Sequence, residues 1–164
     1  MSNTNLNCYF TDIFGYDDQT KGQKYGDDLN PLIPILTKAP AASPSDLIVW
    51  SGDRIDGIQM LYGSTELNMY GKDNGTKFEV PLTPTDPIKS ILFYGANNSN
   101  GNRLGQMVIG FLSGRSVSFG KTQTTLLGTL LIPEPYRLGG LRAYFGDEIN
   151  GLGGLLVPPL VSVY

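Results

Sequence analysis

Two stretches of the chain place a glycine four residues ahead of a polar side chain, flanked by apolar residues: Trp50-Ser51-Gly52-Asp53-Arg54-Ile55-Asp56-Gly57-Ile58 and Tyr144-Phe145-Gly146-Asp147-Glu148-Ile149-Asn150-Gly151-Leu152. Laid over each other without a gap, they share Gly, Asp, Ile and Gly at the same offsets. A weaker third copy, Leu112 to Phe119, keeps a glycine at Gly114, a β-branched residue at Val117 and a small polar residue at Ser118. Glycine lets a chain turn with positive φ and leaves the following backbone N–H groups uncovered, and the polar residue then points a carboxylate or amide into the same cup. A carboxylate accepts two O–H donors at once, while bare amides donate to hydroxyl or ring oxygens. Such a cup suits a vicinal or 4,6-type pair of sugar hydroxyls and needs no metal. The plain alternative is that these are tight turns and nothing more.

The rest of the inventory closes off most other chemistry. With no His and one Cys, Cys8, the chain of 164 residues holds no His-based triad, HExxH zinc site, CxxC pair, Cys/His zinc cluster or intrachain disulfide. The acidic pairs Asp17-Asp18, Asp27-Asp28 and Asp147-Glu148 do not make a glycosidase couple. Neighbours on a strand point to opposite faces, whereas that chemistry needs two carboxylates facing each other across about 5 to 9.5 Å. They read as solvated turns. No P-loop, EF-hand or GxGxxG spacing is present, so the sequence predicts a protein that is not an enzyme and has no cofactor or metal. Twelve Lys+Arg against fifteen Asp+Glu leave a net charge of −3, with the basic residues scattered, which argues against nucleic acid as a partner.

The elements that must position these loops are strands. From Gly15 onward no stretch free of Gly and Pro exceeds seven residues, so an ordinary helix meets a breaker wherever it is placed. The blocks between breakers are rich in Ile, Val, Leu, Tyr, Phe and Thr, with partial alternation in Arg54 to Met60 and Lys77 to Val80. Turn signals stand at Asp73-Asn74-Gly75, Asn97 to Asn102 and Gly139-Gly140. Residues 1–44, with the spaced prolines Pro31, Pro34, Pro40 and Pro44, read as a strand or two near Tyr9 to Phe14 and an extended arm of a single domain spanning 1–164. Trp50, Tyr94 and Tyr144 read as packing residues, and Cys8 as a free thiol able to cross-link two chains. No apolar run reaches the ~20 residues of a transmembrane segment. The N-terminus lacks the basic and apolar regions of a classical signal peptide, predicting a cytoplasmic or unconventionally secreted protein. Three copies of one loop in one domain point to a threefold pseudo-symmetric all-β fold.

The blocks Gly52–Met60, Ile88–Gly95 and Leu138–Gly153 resemble the three Greek keys of jacalin-related lectins, over about residues 45 to 158. The resemblance implies a β-prism of three four-stranded sheets that binds carbohydrate, without metal, through GxxxD loops at one end. Carried across residue by residue, those loops fall on Gly146, Asp147, Glu148 and Asn150, and on Gly52, Asp53, Arg54 and Asp56. Asn150 replaces the family's Asp, exchanging an acceptor for a donor, and Asp56 keeps the carboxylate. No counterpart of the family's N-terminal Gly-Gly strand is evident in residues 1–44. The partner implied is a glycan, of mannose or glucose type rather than galactose, because galactose binders of the family typically need a freed N-terminal glycine. The alternative is a prism that has lost sugar binding and serves as a structural, defence or interaction protein. Homo-oligomerisation is a further expectation.

Overall fold

The computed structural model describes residues 7–16, 23–95 and 103–159. The first sheet holds β4 (Asp46–Ser51), β5 (Ile55–Tyr62), β6 (Thr65–Gly71) and β7 (Thr76–Pro81) in the order β6-β5-β4-β7. The second holds β8 (Ile88–Gly95), β9 (Leu104–Phe111), β10 (Ser116–Gly120) and β11 (Thr125–Leu131) in the order β10-β9-β8-β11. In both, the fourth strand returns to lie beside the first, which is a Greek key. The third sheet begins with β12 (Arg137–Phe145) and β13 (Ile149–Val157) and is completed by the N-terminal region. There β1 (Tyr9–Phe10) and β2 (Phe14–Gly15) line one edge of β13, and β3 (Lys24–Asp27) pairs with β12. β1 and β2 stand where the sequence predicts a strand or two, near Tyr9 to Phe14.

Register makes the threefold repeat explicit. Each key shifts by one residue where its first hairpin begins, leaving Ser51 opposite Ile55, Gly95 opposite Leu104 and Phe145 opposite Ile149. Ile55, Leu104 and Ile149 are fully buried, so these side chains set the register by burial. The next residues, Asp56, Gly105 and Asn150, are structural equivalents, and their carbonyls accept from Lys72, Lys121 and Tyr16 N–H at 2.9, 3.1 and 2.9 Å. The true third copy is thus Gly101-Asn102-Arg103-Leu104-Gly105, of which Gly101 and Asn102 lie outside the described residues, as does the whole of the expected Asn97 to Asn102 turn. The Gly114 to Ser118 assignment is overturned. Gly114 sits in the β9–β10 hairpin, at the opposite end of its sheet from the β8–β9 connection, and Ser118 lies within β10.

The inner faces meet in one continuous core. Leu47, Val49, Ile58 and Met60 come from the first sheet, Ile91, Phe93, Met107 and Ile109 from the second, and Leu141, Ala143 and Leu152 from the third. Gly139-Gly140 is not a turn but an interior stretch of β12 at a register shift. The backbone is approached closely there: Tyr62 Oη donates to Gly139 O at 2.6 Å, and a Cβ on Gly140 would lie 3.0 Å from Asp28 Cβ.

The expectation of no helix fails at α1 (Leu29–Lys38), which also replaces part of the extended arm. Pro31 falls in the first turn, where its absent N–H has no intrahelical partner, so only Pro34 removes a helical hydrogen bond. Burial of Leu32 and Leu36, one turn apart, offsets that loss. Asp27 Oδ1 accepts from Leu29 N–H at 3.0 Å and fixes the helix start. Asp28, expected in a solvated turn, is fully buried. Its Oδ1 accepts from Tyr70 Oη at 2.7 Å and Asn68 N–H at 3.2 Å, and its Oδ2 from Leu141 N–H at 2.8 Å, which pins α1 to the first and third sheets. Asp17-Asp18 lies outside the described residues. Cys8 is half-buried, and burial pushes its thiol pKa up, away from the reactive thiolate. Among the described residues no helix is long and apolar enough to cross a membrane.

Candidate functional site

The first hairpins of the three keys gather at one end of the prism. Lys72 Nζ on the β6–β7 loop lies 3.0 Å from Asp147 Oδ1, and Arg103 Nη1 at the start of β9 lies 3.9 Å from Glu148 Oε1, so each key reaches the third key's loop. Gly52 N–H donates to Arg54 O at 3.1 Å and Gly146 N–H to Glu148 O at 3.0 Å. The sequence repeat is therefore one turn made twice, with Asp53 and Asp147 exposed at the tips.

The glycines of this turn behave differently from the expectation. Neither Gly52 nor Gly146 has positive φ, and a Cβ on either would meet nothing within 4 Å. Neither dihedrals nor packing requires glycine there. A side chain at either position would project into open space beside the turn.

Asp56 is the second residue of β5, just past the turn, and Arg54 lies two residues before it within the turn. Arg54 Nε donates to Asp56 Oδ1 at 2.8 Å. This hydrogen bond, with the nearby charges of Asp56, Glu148 and Asp147, raises the Arg54 pKa against the opposing effect of its burial. The other carboxylate oxygen lies toward the β6–β7 loop, where a Cβ on Gly75 would sit 3.2 Å from Oδ2. Gly75, with φ +79°, thus gives the first-key loop a second wall that carries no side chain. The sequence flagged Asp73-Asn74-Gly75 only as a turn. Its place beside Asp56 follows from Greek-key topology, which brings the fourth strand next to the first.

In the third key Asn150 is half-buried and its carbonyl is taken by Tyr16 N–H at 2.9 Å. The two loops stand at the same end, but each belongs to its own key. The second key has Gly105 at the Asp56 position and no side chain to offer. Trp50 and Tyr144 are half-buried on the sheets, Trp50 opposite Gly57 and Tyr144 with its ring 5.9 Å from that of Tyr25.

Three Greek-key sheets around one core, with paired loops repeated at one end, define a β-prism. No protein-family model matches the chain, and no curated protein matches it. Solved structures do. Malaysian banana lectin aligns with a TM-score of 0.71 at 20% identity, covering 93% of this chain and 100% of that one. Artocarpin in complex with mannotriose aligns at 0.69 and 15% identity, covering 90% and 96%. AcmJRL, a mannose-binding jacalin-related lectin from Ananas comosus, aligns at 0.67 and 14% identity, covering 93% and 99%. The chain has the jacalin-like β-prism fold.

Proposed function

We propose that the protein is a non-enzymatic, metal-independent carbohydrate-binding protein that uses the Gly52–Asp56 loop, with a weaker counterpart at Gly146–Asn150. The observation that carries this reading is that glycine recurs at Gly52 and Gly146 although nothing in the turn demands it. A turn needed only for folding would tolerate a side chain there, whereas a cup that admits a sugar ring would not. The solved prisms include sugar complexes, which favours glycans of mannose type as the ligand class.

A glycan array followed by titration with the best hit tests the reading. Asp56→Ala is expected to weaken binding about tenfold to a hundredfold, at ~1.4 kcal/mol per decade, because a charge-assisted acceptor is lost. Asn150→Ala should cost less, and Asn150→Asp should strengthen binding by restoring an acceptor. Gly52→Leu should abolish binding at its loop while moving stability by no more than about 0.5 kcal/mol, as for an ordinary surface substitution. An array blank across sugar classes, or a Gly52→Leu variant that binds like the parent, overturns the assignment.

Binding should persist in excess EDTA. No group of three or more potential metal ligands occurs among the described residues, and the Asp56 carboxylate faces a guanidinium. Loss of binding on chelation, restored by added metal, would count against the mechanism. A second reading, an interaction or structural prism without sugar binding, is favoured by Gly105 and Asn150 standing where a carboxylate is needed and by the occupied Oδ1 of Asp56. It predicts the blank array.

A further inference from the structure

We propose that Arg54 is a built-in competitor at the first-key loop, a latch that holds the Asp56 carboxylate closed until hydroxyl donors displace it; this rests on reading that loop as a sugar site. The Asp56 side chain is 8% exposed and that of Arg54 34%, so the carboxylate is covered by a group that itself reaches water. A sugar hydroxyl that reaches Oδ1 must share it with the guanidinium N–H at 2.8 Å, whose positive charge offsets the carboxylate charge that would otherwise strengthen the hydroxyl's bond. The native loop therefore binds below the affinity its carboxylate would give unopposed.

The neighbouring loop brings Asp147 and Glu148, which pair with Lys72 at 3.0 Å and Arg103 at 3.9 Å, and their charges also favour the charged form of Arg54. The third key carries no such latch. Glu148 stands at the Arg54 position and Asn150 at that of Asp56, and Glu148 turns to Arg103 instead. Arg54 thus acts on one loop and leaves its counterpart untouched, and because the guanidinium reaches water while the carboxylate is buried, salt weakens the pair only in part.

Calorimetric titration of the full chain with methyl α-mannoside, at low and high NaCl, separates the possibilities. Arg54→Ala and Arg54→Gln are expected to bind about three- to tenfold tighter than the native chain, since each loses the charged competitor. Native affinity should rise with salt, and that of the variants should not. A silent native chain beside variants that bind supports the latch in its strongest form. Variants that bind no more tightly than a native chain that does bind overturn the latch and leave the sugar site standing. If native and variants, all folded by thermal melt, bind no sugar, the sugar site itself falls and the latch with it. Arg54→Gln keeps much of the side chain and carries the test should Arg54→Ala fail to fold.

Discussion

Asp28→Ala is expected to lower stability at neutral pH by about 3 kcal/mol, reducing Tm by roughly 6–12 °C at ~2–4 °C per kcal/mol for a chain of this size. Three donors, Tyr70 Oη, Asn68 N–H and Leu141 N–H, converge on its two oxygens in a site without solvent access, and alanine leaves all three without that acceptor. Asp28→Asn keeps the shape but replaces one acceptor oxygen by an NH₂ group that faces a donor, so it should also destabilise. The pH dependence has a definite sign. Burial pushes the Asp28 carboxyl from 3.8 up to about 6, with the Tyr70, Leu141 and Asn68 hydrogen bonds opposing the rise and the charge of Asp27 adding to it. An acid whose pKa is raised by folding contributes stability that is full below the unfolded value and is lost as pH rises through the folded value. About two units correspond to about 3 kcal/mol, so the advantage of the native chain over Asp28→Asn should shrink by up to that amount between about pH 4 and pH 7. Urea denaturation of both proteins across that range checks it, and a gap that stays constant or widens with pH overturns the assignment.

The parts of the fold that could be read in the sequence are those that local chemistry decides. Breakers at intervals of seven residues or fewer disfavour ordinary helices, although β5, β9, β11, β12 and β13 run through glycines, and Gly-Asp-x-Ile recurs because Ile55 and Ile149 fill the same core position at the same turn. The third copy escaped because Gly105 stands at the Asp56 position and Leu104 replaces isoleucine, so only Gly101, Arg103 at the Arg54 position and an aliphatic residue remain to be matched. The helix escaped for a different reason. Pro31 and Pro34 speak against it locally, while Leu32, Leu36 and the Asp28 anchor, which hold it, act only through elements distant in sequence. Within the candidate site, Asp56 was legible as a strand-end carboxylate. Its pairing with Arg54 depends on the conformation of the turn, since Arg54 lies outside β5. Gly75 was not legible, because its nearness to Asp56 depends on the crossing of β7 back to β4.

Gly71→Ala is expected to destabilise the protein by about 3 kcal/mol or more, with the first-key loop lost at the same time. Gly71 ends β6 with φ +79°, a conformation that costs an L-residue about 1–2 kcal/mol. An added Cβ would also run into the carbonyl oxygen of Asp56, which is held by Lys72 N–H at 2.9 Å. That obstacle is backbone on the neighbouring strand and cannot swing aside as a flexible side chain would, so relief requires β5 to shift and take the Asp56 carboxylate with it. Two other glycines separate the contributions. Gly63, with φ +62° and nothing within 4 Å of its would-be Cβ, isolates the dihedral cost at about 1 kcal/mol, and Gly52, with neither constraint, should change little. The expected order of destabilisation in thermal or urea melts is Gly71→Ala well above Gly63→Ala, with Gly52→Ala near zero. Gly120, which ends β10 with φ +86° and would meet the Gly105 carbonyl in the same way, should behave like Gly71 in stability while leaving binding at the Asp56 loop intact in whatever fraction remains folded. Equal effects at Gly71 and Gly63 would show that β5 yields to the added methyl, and that the Asp56 loop is not held in place by the end of β6.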